Sequence, residues 1–152
     1  MSIRMAVNIS TGILISAMGI ALTVIVTAAR ADNAPLSAPS SVVKDLMMRD
    51  LVNVPGKELL MLTVEYVPGG ASLPHRHSAQ VFVYVLAGTI RMQVKGSPVA
   101  TLHPGDTFYE GADDIHTVSA NASRVKPAQI LVFMVKDKNA PVSSAVPSKD
   151  RP

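Results

Sequence analysis

All four histidines of the chain fall between positions 75 and 116. Two of them form the run His75-Arg76-His77. In an extended strand, residues i and i+2 point to the same face. Two neutral imidazoles side by side can chelate one divalent ion. An exposed His-x-His after Pro74 is the plainer alternative, and the spacing alone does not choose between them. His116 opens a strand-like run after the loop Gly111-Ala-Asp-Asp-Ile115. If that run pairs beside the first two histidines, three imidazoles close a facial site with positions open to water or substrate. His103 sits in the turn Leu-His-Pro-Gly-Asp and reads as a solvated turn residue. Glu110 shares a strand face with Phe108, just ahead of the His116 loop. Three roles stay open for it: partner of a metal-bound histidine, catalytic general base, or solvated strand end. The chain has no Cys, which removes thiolate metal sites, disulfides and Cys nucleophiles together.

Short strands separated by turn signals must position these residues. Runs 58–66, 81–87, 90–95, 99–102, 107–110, 116–119 and 130–135 are rich in β-branched, aromatic or alternating apolar residues. Pro68-Gly69-Gly70, Gly96-Ser97-Pro98 and Pro104-Gly105-Asp106 punctuate them. Residues 42–50 read as a further strand or a short helix. Gly88, one residue before the next strand, suits a tight hairpin. Met61, Met92 and Met134 lie in strand-like runs and read as core. About eight strands with no long amphipathic helix predict an all-β domain whose apolar face closes on itself, as a barrel or jelly roll does. Asn121-Ala-Ser123 fits the N-glycosylation triplet.

The ends have a different character. Residues 5–29 carry no charged side chain, Arg4 precedes them, and the stretch closes on Ala29-Arg30-Ala31. This is the pattern of a secretory signal peptide over residues 1–31, preceding a periplasmic or extracellular domain. An uncleaved membrane anchor over residues 5–29 is the alternative, since the run is long enough to span a bilayer. Residues 32–41 read as a linker, 42–138 as the barrel, and the Pro-rich stretch 139–152 as a disordered tail. Without Arg4 and Arg30 the chain holds 12 basic and 11 acidic residues, with no basic cluster. That balance excludes a nucleic-acid footprint.

Two segments resemble the motifs of the cupin superfamily. Gly69-x5-His75-Arg-His77 through Gly88 resembles its first motif, above all in HRHSAQVFVYVLAG. Gly105-Asp-Thr-Phe-Tyr-Glu-Gly-Ala-Asp-Asp-Ile-His116 resembles its second, and the short stretch between them suits small bacterial cupins. The resemblance implies a single jelly-roll β-barrel, one divalent metal ion near its mouth (Fe, Mn, Zn, Ni or Cu), a small-molecule ligand or substrate, and a homodimer. It carries the metal to His75, His77 and His116. The sequence also departs from the pattern. The family's glutamate ligand, seven residues before the closing glycine, falls on Val81, which cannot ligate. The neighbouring Gln80 is a candidate fourth ligand if a bulge shifts the register; otherwise it hydrogen-bonds a ligand histidine or water. Gly111 and Asp113 replace the second motif's usual proline and glycine, which predicts a looser loop before His116. The implied site is three histidines without the carboxylate, as in cupin-type dioxygenases. A metal-dependent dioxygenase is one expectation, and a non-catalytic metal- or ligand-binding module the other.

Overall fold

The computed structural model describes residues 40–147. The expected signal segment 1–31, most of the expected linker 32–41, and residues 148–152 lie outside the described residues. Ten strands follow one another: β1 (Ser41–Asp50), β2 (Lys57–Tyr66), β3 (His75–Arg76), β4 (Ala79–Ala87), β5 (Ile90–Val94), β6 (Ala100–Leu102), β7 (Thr107–Glu110), β8 (Ile115–Asn121), β9 (Ala128–Asp137) and β10 (Ser144–Ala145). The described residues contain no helix, so 42–50 resolves as strand. Two five-stranded antiparallel sheets form, ordered β1-β2-β9-β4-β7 and β10-β3-β8-β5-β6.

Alternation decides which side chains fill the space between the sheets. On β4 the small apolar set, Ala79, Val81, Val83 and Val85, is buried, while Gln80, Phe82, Tyr84 and Leu86 face outward. Leu60 and Leu62 of β2 and Ile130, Val132 and Met134 of β9 join the inner set from the same sheet. Ile90, Met92 and Leu102 meet them from the opposite sheet. Met92 and Met134 are core as expected, but Met61 alternates onto the half-buried outer face of β2.

Several expectations need correction. Gly88 does not close a hairpin, because β4 and β5 belong to different sheets. The chain turns a corner there at φ +77°, and a Cβ on Gly88 would lie 2.6 Å from that of Ala128. Glycine is therefore required both by conformation and by space. The tail expected from Asn139 is ordered at least to residue 147. Its short strand β10 pairs with β3, Ser144 opposite Arg76 and Ala145 opposite His75. Val146 anchors it, 1% exposed. Asn121 is buried, and its amide nitrogen already donates to the carbonyls of Val67 (3.0 Å) and Lys126 (2.7 Å). The folded domain therefore presents no free amide to glycosylation.

Candidate metal centre

The centre is built on the rung where β3 meets β8, with His75 directly opposite His116. Strand β3 ends at Arg76, so His77 leaves the ladder, yet its ring returns to the same side. His75 Nε2 and His77 Nε2 lie 3.0 Å apart. The ring centroids of His75 and His116 lie 5.1 Å apart. One ligand atom from each of the three histidines falls within 4.8 Å of the others.

Backbone carbonyls fix the tautomers of the first two rings. His75 Nδ1 donates to Leu73 O at 2.7 Å, and His77 Nδ1 donates to Val142 O at 2.5 Å. A carbonyl only accepts, so in the neutral rings the protons sit on Nδ1 and both Nε2 atoms present lone pairs. Two lone pairs facing each other at 3.0 Å repel unless something electropositive lies between them. The third ring, His116, is 3% exposed, and neither of its nitrogens has a hydrogen-bond partner. Three inward-facing imidazoles, two of them with the outer nitrogen held by a backbone carbonyl, are a donor set that fits a divalent ion. Burial lowers the proton affinity of His75, opposed by the Leu73 hydrogen bond. His77 and His116 lower it further, while Glu110 opposes them. All three histidines are thus kept together under conditions that favour His75 in its neutral, ligating form.

Local irregularities aim these side chains. The β5–β8 register slips between Gln93 and Val94, which leaves Thr117 as an extra residue on β8. This bulge reverses the alternation, so that His116 and Ser119, three residues apart, both turn inward. Thr117 Oγ1 fastens it by donating to Gln93 Oε1 at 2.9 Å. The loop ahead of His116 is better held than its departure from the family pattern predicted. Asp114 Oδ2 accepts from Gly111 N–H at 2.8 Å, and Asp113 N–H donates to His77 O at 3.0 Å. Asp113 adopts φ +69°, the left-handed conformation that glycine favours and that aspartate tolerates.

Glu110 ends β7 with its side chain inward, 2% exposed, and is not a solvated strand end. Its Oε2 lies 3.0 Å from His116 Nδ1 and 3.9 Å from His77 Nε2. Gln80 is not brought to the site. The β4–β9 register runs unbroken through Ala79, Gln80 and Val81, so the bulge that ligation required is absent and Gln80 is exposed on the outer face. His103 is also remote: it is exposed in its turn, its backbone N–H donating to Asp106 Oδ2 at 2.8 Å.

The three rings and Glu110 line one end of a cavity of about 490 Å³. Leu62, Val83, Met92, Ile130 and Val132 contribute its apolar wall. A second polar group lines it too: Tyr66 Oη lies 2.6 Å from Ser119 Oγ and 3.2 Å from Ser72 Oγ. The sequence reading missed this trio, because Ser119 turns inward only through the bulge. It also missed residues 142–145, which line the cavity and supply the carbonyl that orients His77. Val142 and Val146, the two valines in an otherwise polar and Pro-rich stretch, were the available signal.

The family model for the cupin domain matches residues 62–134, which carry both histidine motifs. With the two-sheet fold around it, this match places the chain in the cupin superfamily. No curated protein matches the sequence. Among solved structures, an oxalate oxidase is 25% identical, with a TM-score of 0.57 over 76% of this chain and 62% of its own. A cupin-2 domain from Rhodospirillum rubrum is 21% identical, with a TM-score of 0.56 over 74% of this chain and 69% of its own. A cupin superfamily protein from Desulfitobacterium hafniense shares the fold at 14% identity, TM-score 0.53, over 64% of this chain and 78% of its own. The chain spans 41% to 54% of the length of the first solved structures it matches.

Proposed function

We propose that this chain is an exported, metal-dependent cupin enzyme acting on a small organic substrate by dioxygenase-type chemistry. The carrying observation is the pair of lone pairs on His75 and His77, fixed by the Leu73 and Val142 carbonyls beside the buried His116. Nitrogen donors of this kind suit Fe, Mn, Zn, Ni or Cu. A bound ion of that class would supply a Lewis-acidic and, for iron, redox-active centre with positions open to substrate. The chain's own residues do the rest. The two carbonyls hold the rings in their ligating tautomers, the apolar wall excludes water from the substrate, and Tyr66 and Ser119 offer hydrogen bonds within the cavity. A structure of oxalate oxidase with the substrate analogue glycolate, 25% identical to this chain, supports oxygen chemistry on a small chelating molecule. Export rests on the signal pattern of residues 1–31.

Elemental analysis of the purified chain should find close to one metal per chain, lost in His75→Ala. Oxygen uptake with thiols, diketones, flavonols or small carboxylates should then depend on His77. Uptake unchanged in His77→Ala sinks the enzyme reading. Metal without turnover of any candidate favours the second reading, a binding module, for which Val81 at the family's glutamate position speaks. In that case a ligand raises thermal stability by mass action and leaves unconverted.

A further inference from the structure

We infer that Glu110 is the fourth protein ligand of the metal: the carboxylate that the family's first motif carries on β4 is supplied here by the neighbouring strand, β7. The inference rests on the metal site proposed above. Val81 occupies the family's glutamate position and points inward, 1% exposed. Its partner in the ladder is Glu110, directly opposite. Side chains opposed in this way leave the sheet on one face with Cβ atoms about 5 Å apart. A glutamate reaching inward from position 110 therefore serves nearly the same interior volume as one from position 81. The substitution at Val81 and the acid at Glu110 read as one exchange across a single rung.

The polar atoms left without partners agree. Glu110 Oε2 and both ring nitrogens of His116 are buried with no hydrogen bond. The 3.0 Å approach of Oε2 to His116 Nδ1 is not aligned as one. A buried carboxylate oxygen without a partner is costly, and breaking its pairing would normally expel it or protonate it. One proton between Oε2 and Nδ1 would leave His77 Nε2, 3.9 Å from the same oxygen, still facing the lone pair of His75. A divalent cation satisfies the oxygen and the imidazole lone pairs together. The carboxylate also lowers the net charge of a divalent site from two to one, so a singly charged anionic substrate brings it to neutrality. A site of three neutral histidines would favour a doubly charged one.

Cobalt(II) binding to the full chain tests the assignment, because its visible absorption reports the number and kind of ligands. Glu110→Gln keeps the shape of the side chain and an acceptor for His116. A ligand is worth at least as much as an outer-shell partner of a ligand, roughly 10- to 100-fold in affinity. Glu110→Gln should therefore bind cobalt at least about tenfold more weakly, with a changed spectrum. Moving the carboxylate back across the rung, Val81→Glu with Glu110→Val, should restore tight binding. Recovery in that double variant separates a lost ligand from a damaged fold. Wild-type affinity and spectrum in Glu110→Gln overturn the inference and leave the three-histidine site standing. Weaker binding with an unchanged spectrum also overturns it, and assigns Glu110 to positioning His116. A wild-type chain that takes up no cobalt, iron, manganese or zinc overturns both the inference and the metal site.

Discussion

His75 shows how much of the site's behaviour is set by what surrounds one ring. Its burial and the nearby His77 and His116 hold its proton affinity below the ordinary value of 6.5. In the unfolded chain the ring titrates near that ordinary value. As pH falls below 6.5, the unfolded state takes up a proton that the folded state still refuses. Stability present above 6.5 is therefore lost progressively as pH drops toward the folded value. Metal retention moves in the same direction, since the ligating nitrogens must be unprotonated. The metal-free chain should show a constant denaturation midpoint above pH 7 and a falling one below 6.5, with the fall reduced in His75→Gln. An identical slope in the variant would mean that other groups carry the acid sensitivity. The three histidines were legible from sequence because the His-x-His spacing and the two motifs converged on them. Gln80 was not, since its direction depends on a bulge that is a property of the ladder. Glu110 was legible as a residue near the site, but its inward direction opposite Val81 is a fact of pairing that the register of β7 against β4 supplies.

At the scale of elements, the strands with period-two patterns were legible and the two-residue strands were not. Strands β3 and β10 are too short to show a period, and each exists only through its neighbour. They are nevertheless the elements that hold His75 and orient His77. The segment joining β9 to β10 is fastened by a buried ion pair between Lys136 and Glu58, 3% and 7% exposed. Lys136 Nζ also donates to Ala140 O at 2.8 Å, at the start of that segment. Lys136→Met would leave Glu58 buried without its counter-charge and release Ala140. Breaking a buried pair from one side costs about 3–5 kcal/mol. Urea denaturation should find a loss of that order, with metal affinity falling because Val142 no longer steadies His77. Removing both charges, with Glu58→Leu added to Lys136→Met, should return much of the stability, since paired apolar replacements are often neutral or better. A single variant as stable as the parent would show that the pair and its segment are dispensable.

At the scale of the whole molecule, the sheet carrying Glu110 has an outer face that a solitary domain leaves uncovered. Phe82 and Tyr109 sit opposite each other in the β4–β7 ladder, ring centroids 5.3 Å apart. They are 45% and 52% exposed, with Tyr84 at 43% and Leu86 at 40% beside them. An exposed apolar cluster of this kind, centred on β4 and β7, marks an interaction surface. Alternation makes it as deliberate as the core: β4 places its small branched residues inward and its aromatics outward, the reverse of what a monomer needs for solubility. We propose that a second copy of the chain covers this face, two sheets packing through their aromatic rows in a two-fold interface. Light scattering should then give twice the mass of the chain. Phe82→Lys with Tyr109→Lys places like charges at the centre of that contact and should yield a monomer. Both positions face away from the cavity, so the monomer should keep its β-sheet circular dichroism and its metal. A wild-type chain that is monomeric at every concentration would remove the second copy as the occupant. A charged variant that stays dimeric would place the interface on another part of the chain.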